Sequence, residues 1–313
     1  MAGKLEERIQ ELKRLGAGAG TEEILRKALR DRSNLIVAEA ARTAATQKLT
    51  GLIPDLLDAF DRLFKDPVKS DSKCWGKTAI IKALTDMDHS AAAPFLRAAG
   101  HVQMEPVWGG QEDSAISLRA SGVLALVQCD DLSRAETIRR LVDALADPSD
   151  RVRVEVVRAI EQMNGEEAVV LLRLKAHSGD TQPAVIGQVF DSLLQLEGEH
   201  AVDFVARFMK GPESDVQGEA ALALGASRLP KAVDRLIADW KSSHNHQFAA
   251  TLLRALGSSR EEAALTFLLH LVERGGRRDS RAALEALAIH KDSHEIQERV
   301  ERACRARAAE RDE

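Results

Sequence analysis

The histidines are the first side chains to consider for chemistry, because imidazole binds metal ions and transfers protons near neutral pH. Nine are present, and His244 and His246 form the only close pair. A zinc site needs three or four protein ligands, and no second group of possible ligands lies at a suitable spacing. We therefore interpret His244 and His246 as a polar turn and the start of a helix, and we expect no metal site.

The cysteines and paired carboxylates show no catalytic pattern either. Cys74, Cys129 and Cys304 are odd in number, far apart and outside any C-x-x-C pair, so neither a disulfide framework nor a thiolate zinc site is indicated. The sequence contains no G-x-S-x-G motif and no glycine-rich phosphate loop. Acidic pairs such as Asp130-Asp131 suit turns and helix starts. We expect Cys129 to be a structural thiol, and we expect no enzymatic activity and no cofactor.

A repeat in the sequence predicts the elements that position these residues. Runs similar to Val216–Leu224 start at Ile36, Gly76, Leu118, Val152, Val185, Val216, Phe248 and Asp279. The later starts are separated by about 32 residues, a period typical of stacked helical repeats. A second amphipathic segment follows each run, so one repeat is a helical hairpin. The sequence predicts about eight such hairpins, with extra helices at Lys4–Leu15 and Thr21–Arg30 and a flexible break at 16–20.

The helical wheel of each run explains why the hairpins must stack. Counting the first residue as zero, positions +4, +5, +7 and +8 are almost wholly apolar or small and cluster on one arc. A single hairpin cannot bury this arc, so neighbouring hairpins must cover it. The small residues at +7, such as Ala223 and Ala255, are expected to let adjacent helices approach closely. Thr21 and Ser133 are predicted to cap helix N-termini.

Composition supports an all-α fold. Apolar residues make up 44% of the chain and charged residues 30%, aromatic residues only 4%, and tyrosine is absent. Alanine and leucine favour helices, whereas the residues that favour strands are scarce. The formal net charge of −5 gives no general attraction to nucleic acid. The first residues contain no apolar signal segment and no stretch suits a membrane span, so we expect a cytoplasmic protein in a reducing compartment.

The segment Thr137–Ile160 resembles a bacterial HEAT-like repeat of the type also found in phycobilisome lyases. The resemblance implies a right-handed α-α superhelical solenoid whose inner helices line a concave groove that binds protein partners. We expect a single array over residues 1–313, with degenerate repeats at 1–115, regular repeats at 116–290 and a capping helix at 291–313. HEAT-like deoxyhypusine hydroxylases hold two irons with several His-Glu pairs, whereas this sequence offers only His294-Glu295.

The predicted function is a non-catalytic scaffold or adaptor that binds a protein partner. One alternative is an accessory subunit of a lyase or another enzyme, similar to the phycobilin lyases, although no bilin-attaching residue is identified. Another is a nucleic-acid binder similar to the HEAT-like alkylpurine DNA glycosylases. Those enzymes use a basic groove with aromatic residues, whereas this chain is acidic. The oligomeric state is left open.

Two regions are candidate binding sites for that partner. Position +6 lies opposite the core arc and is expected on the groove wall, where Arg42, Lys82, Arg158 and Arg254 suggest a site for an acidic segment. The alternative is that these are ordinary polar residues of exposed helix faces. The irregular segment 100–113 carries Met104 and Trp108, and it is expected either to bind the partner or to fold back and fill a gap between repeats. Trp75 lies in a second long connection between helices, and we expect its side chain to be packed in the interior.

Overall fold

The computed structural model describes residues 2–16, residue 18 and residues 20–312. Within these ranges the chain forms nineteen α-helices and one pair of β-strands. In chain order they are α1 (Ala2–Arg14), α2 (Thr21–Leu29), α3 (Asn34–Thr46), α4 (Ile53–Leu63), α5 (Pro67–Ser70), α6 (Trp75–Asp86), α7 (Ala92–Ala99), β1 (Met104–Val107), β2 (Gly110–Asp113), α8 (Ile116–Ala125), α9 (Arg134–Ala144), α10 (Asp150–Met163), α11 (Glu166–Ser178), α12 (Pro183–Glu197), α13 (Glu199–Phe208), α14 (Ser214–Ala226), α15 (Pro230–Ser242), α16 (His246–Ser259), α17 (Glu262–Arg274), α18 (Arg277–Leu287) and α19 (His294–Asp312). The predicted all-α fold class is confirmed. Residues 17 and 19 of the predicted break lie outside the described residues.

The predicted repeat starts fall in eight helices that we call the inner helices: α3, α6, α8, α10, α12, α14, α16 and α18. A second helix follows each of them, as the hairpin prediction requires. The predicted core arc is buried in all eight, except that Leu284 is only partly buried. The periodicity therefore identified both the helices and the side of each helix that avoids water.

Inner helices stack on one another within two compact units, unit 1 (Met1–Met163) and unit 2 (Asn164–Glu313). In unit 1 the order of packing is α3, α6, α8, α10, and in unit 2 it is α12, α14, α16, α18. The single array over 1–313, with its divisions at 115 and 290, stays a prediction.

Small residues let neighbouring inner helices approach closely. A Cβ atom added to Gly225 of α14 would stand 2.1 Å from the carbonyl oxygen of Ala255 in α16. That separation is far inside van der Waals contact, so the backbones touch where Gly225 has no side chain. Ala255 is one of the +7 residues for which close packing was predicted.

The helix caps agree only partly with prediction. The Ser133 hydroxyl accepts a hydrogen bond from the Glu136 N–H at 3.2 Å, as expected of an N-cap. Thr21 is not an N-cap, because it is the first residue of α2 and its hydroxyl donates to the Gly16 carbonyl at 2.9 Å. Asn245 caps α16 through its side chain, so His246 does begin a helix, as predicted.

The segment 100–113 is not irregular throughout, because β1 and β2 form an antiparallel hairpin within it. Met104 pairs with Asp113 and Val107 with Gly110, which leaves Trp108 and Gly109 as the turn. Gly109 has φ of +90°, a conformation that glycine adopts without strain. The expectation that segment 100–113 is irregular was therefore wrong for residues 104–113.

Among the described residues, none of the helices combines the length and the apolar character that crossing a bilayer requires.

Candidate functional site

The hairpin holds its apolar side chains in solvent. Trp108 is 101% exposed, and Met104 and Val107 are each 45% exposed. Trp108 therefore does not fold back to fill a gap between repeats, which removes one of the two expectations for this segment. Exposed tryptophan is costly in water and is enriched at the centres of protein interfaces.

A buried ion pair lies beneath the hairpin. The side chains of Lys77 and Asp71 are both 0% exposed, and the Lys77 Nζ lies 3.5 Å from the Asp71 Oδ2. Lys77 also donates to the Gln103 Oε1 at 2.8 Å. Asp71 accepts hydrogen bonds from the N–H groups of Gly76 and Lys77 at the start of α6. The pair thus connects the first turn of α6 to the residues that lead into β1.

Glu105 of β1 extends this network into the hairpin itself. Its carboxylate accepts hydrogen bonds from the Ser114 hydroxyl at 2.6 Å, the Gln103 amide at 2.7 Å and the Lys73 N–H at 2.6 Å. The Ser72 hydroxyl also donates to it, at 2.9 Å. Burial alone would raise the pKa of Glu105, but these donors stabilise the charged form and lower it to about 2.

Arg119 of α8 fixes the second strand, at the open end of the hairpin. It forms a bidentate contact with Asp147 at 2.7 and 3.2 Å. It also donates to Asp113, the last residue of β2, at 2.6 Å and to the His101 carbonyl at 3.0 Å. Both strands are therefore tied to buried charges at the open end of the hairpin, and we call the whole set the anchor network: Asp71, Lys77, Gln103, Glu105, Ser114, Asp113, Arg119 and Asp147.

Sequence reasoning missed the anchor network, although a spacing signal was present. Aspartate is followed six residues later by a basic residue in three successive repeats of unit 1: Asp71 and Lys77, Asp113 and Arg119, and Asp147 and Arg153. All three basic residues are buried and stand at wheel position +1, inside the otherwise apolar arc. A charge recurring there indicates a buried pair.

Inner helices of unit 1 line a groove beside the hairpin. A cavity of about 460 Å³ between α3, α6 and α8 is lined by Arg42, Lys82, Trp75 and Lys73, among others. Trp75 is 45% exposed there, so the prediction that it packs inside was wrong. The structure thus brings two of the predicted basic residues, Arg42 and Lys82, to one cavity.

The groove continues under the hairpin. A cavity of about 430 Å³ between α6, α8 and α10 shares Lys82 and Ser117 with the first. A third, of about 300 Å³, shares Ser117 with both and is lined also by Val107 of β1 and by Arg151 of α10. Hairpin and groove are therefore parts of one surface, which we call the unit 1 surface.

The predicted basic residues differ in what they contact. Arg42 pairs with Glu39 at 3.0 Å and Arg158 with Glu155 at 2.7 Å, each one turn earlier on its own helix. The Lys82 side chain forms no ion pair or hydrogen bond with any described residue. The positive charge predicted at position +6 is therefore weaker than the sequence suggests, because Arg42 and Arg158 are already balanced.

Arg254 lies in unit 2, where it lines a separate cavity of about 570 Å³ between α12, α14 and α16. It hydrogen-bonds the Thr251 hydroxyl at 3.0 Å. Glu219 lines the same cavity, and burial together with the charge of Asp215 raises the pKa of its carboxyl.

His244 and Cys129, two of the residues considered for chemistry, each lie in a local setting of their own. His244 Nδ1 lies 2.9 Å from the Ser242 carbonyl oxygen, and among the described residues no three His, Cys, Asp or Glu side chains converge as metal ligands would. Cys129 is buried, and burial with the charges of Asp131 and Asp130 raises the pKa of its thiol to about 11. A thiol in that setting stays protonated at neutral pH and is a poor nucleophile.

The anchor network offers no free acid or base in its present geometry. The only buried side-chain polar atoms of the described residues that lack a partner belong to Gln47, His89 and Trp240, which are outside the network. Its charges hold the hairpin in place, and the unit 1 surface that results has the exposed apolar groups and charged edges of a binding surface.

Comparison with known proteins supports the repeat architecture. Residues 138–224 and 202–288 match the family model described as HEAT repeats. No curated protein matches the chain. The matched residues begin in α9 and end at Ala288, directly after α18, so residues 138–288 consist of HEAT repeats.

Two solved structures resemble the chain weakly. Human deoxyhypusine hydroxylase in complex with glycerol is 17% identical, with 91% of this chain and 89% of that chain covered and a TM-score of 0.28. The complex of CpcE and CpcF of phycocyanin lyase from Nostoc sp. PCC7120 is 15% identical, with 95% and 98% covered and a TM-score of 0.34. At these TM-scores neither likeness bears on what the chain binds.

Proposed function

We propose that this HEAT-repeat protein is a non-catalytic scaffold that binds a protein partner through the unit 1 surface. The observation that carries the proposal is the fully exposed Trp108 at the turn of an anchored hairpin. A tryptophan in solvent gains most from burial against a second molecule, and a preformed hairpin loses little conformational entropy on binding.

The anchor network supports this role through its position. Lys77, Glu105 and Arg119 tie both strands to α6 and α8, and buried charges are costly unless fully paired. Such buried charges beneath a small exposed hairpin have a role if the hairpin must keep one conformation. The groove beside it adds apolar and basic groups within the same surface.

Affinity purification of the full-length tagged chain from its native cells tests the proposal. Three forms are compared: the natural chain, Trp108→Ala and the control Ile289→Ala. Ile289 is an exposed apolar residue of unit 2. It therefore resembles Trp108 in exposure and apolarity but lies outside the unit 1 surface. We expect Trp108→Ala to lower partner recovery about tenfold or more, because truncating an interface tryptophan costs about 2 kcal/mol or more.

The control variant is expected to recover the partner at the natural level. Equal recovery with all three forms would contradict the proposal. A bound tetrapyrrole with visible absorbance in the purified natural chain would instead favour the lyase-subunit alternative.

A further inference from the structure

The cavity of about 430 Å³ in the unit 1 surface has an apolar floor and a charged rim. Its floor residues come from α8 and α10: Ile116, Ala120, Leu124 and Val154. Its charged residues are Lys82, Asp150, Arg151 and Glu155. Such a cavity suits one aliphatic or aromatic side chain of a ligand whose polar groups stay at the rim.

Some of the charged side chains at the rim are stabilised by an ion pair or a helix dipole, and others are not. Glu155 is held by Arg158 at 2.7 Å. Asp150 is the first residue of α10, where the positive end of the helix dipole favours a carboxylate. The side chains of Lys82 and Arg151 form no ion pair or hydrogen bond with any described residue. Two basic side chains thus remain available at the rim of an apolar cavity.

The neighbouring cavities extend this arrangement into a longer surface. One shares Lys82 and continues to Trp75, and the other shares Arg151 and continues to Val107 of the hairpin. An extended segment can therefore cross several cavities, with Lys82 on one side of the central cavity and Arg151 on the other.

We propose that the occupant is an extended acidic segment of a protein partner, with one apolar side chain in the central cavity and flanking carboxylates paired with Lys82 and Arg151. The inference rests on the proposed function and names the chemistry of the partner. A guanidinium and an ammonium both pair well with carboxylates. Nucleic acid fits less well, because it carries a charge at every phosphate and would meet Asp86 and Glu112 on the same surface, whereas a peptide can place neutral residues beside those two carboxylates.

Fluorescence anisotropy with short labelled peptides tests the inference on the full-length chain. The probe alternates aspartate and leucine. Two control peptides replace either every aspartate by lysine or every leucine by serine. We expect the aspartate-leucine peptide to bind with an affinity that falls as salt rises, and we expect both controls to bind at least about tenfold more weakly.

Variants locate the site. Two variants are each expected to weaken binding of the aspartate-leucine peptide about tenfold or more. One combines Lys82→Glu with Arg151→Glu, and the other is Leu124→Gln. Arg281→Glu is the matched control, because Arg281 is an exposed arginine of unit 2, and it should leave binding unchanged. Thermal unfolding of each variant checks that the fold is retained.

The inference would be overturned if the aspartate-leucine peptide did not bind, if the lysine peptide bound equally well, or if the double variant bound the aspartate-leucine peptide as well as the natural chain does. If Trp108→Ala loses the natural partner but the aspartate-leucine peptide does not bind, the scaffold proposal holds and only the acidic ligand is rejected. Retention of the natural partner by Trp108→Ala would instead remove the proposed function.

Discussion

Lys77 shows at the residue scale how a charge can stabilise this fold without contacting solvent. Its ammonium group has no exposed surface and is balanced by Asp71 and Gln103. It also lies 5.1 Å from the centre of the Phe64 ring, within the range of a cation–π interaction. Removing one member of such a pair leaves the other charged and buried, which costs more than the pair itself contributes.

We therefore expect Lys77→Met to lower the free energy of unfolding by about 3 kcal/mol or more, because Asp71 then stays buried without its partner. Lys82→Met is the matched control on the same helix. Lys82 is exposed, so that change should stay within about 0.5 kcal/mol. Urea unfolding followed by circular dichroism measures both, and equal stability of the two variants would contradict the structural role of the anchor network.

Glycine spacing shows at the element scale how closely the inner helices pack. Gly225 meets the backbone of α16, whereas a Cβ at Gly218 of the same helix would meet nothing within 4 Å. We expect Gly225→Ala to lower the free energy of unfolding by about 1 to 3 kcal/mol through overpacking. Gly218→Ala should instead raise it by up to about 1 kcal/mol, because alanine favours the helix.

Thermal unfolding of the two glycine variants, monitored by circular dichroism, distinguishes these effects. If both substitutions shifted the unfolding temperature in the same direction and by the same amount, helix propensity alone would explain them and the close approach of α14 and α16 would be in doubt.

The sequence predicted the inner helices well but not the hairpin. Small and aliphatic residues at +4, +5, +7 and +8 return in every repeat, so burial of the arc follows from local sequence alone. The strands Met104–Val107 and Gly110–Asp113 are too short and too polar to show an alternating apolar pattern. Only Gly109 and Gly110 after Trp108 suggested a turn.

The anchor network was not predicted as a whole, because the six-residue spacing indicates only the local pairs and not the contacts between them. Gln103 contacts the Asp71 carbonyl 32 residues away and Lys77 26 residues away. The sequence also left the exposure of Trp108 open, since a tryptophan in a long connection between helices can cover a gap or project into solvent. Tertiary structure was needed for both.

At the scale of the whole molecule, the hairpin and the α6 part of the proposed binding surface precede the regular repeats, whereas its α10 part, with Arg151 and Val154, lies within them. The matched HEAT repeats cover residues 138–288, whereas the hairpin, Trp75 and Lys82 all precede them. Departures from a repeat pattern are where functional features are expected, because a strictly regular array satisfies packing alone. Residues 67–75 and 100–113 are the longest departures in unit 1, and both contribute to the unit 1 surface.

The most direct test of this account asks whether hairpin and groove contact the same partner. A photo-crosslinking amino acid is placed at Trp108, at Leu124 or, as a control, at the exposed Leu174 of unit 2, and the chain is irradiated in its native cells. The account predicts that positions 108 and 124 crosslink to one and the same protein, identified by mass spectrometry, and that position 174 does not. Crosslinks to unrelated proteins at 108 and 124, or equal capture at 174, would contradict it.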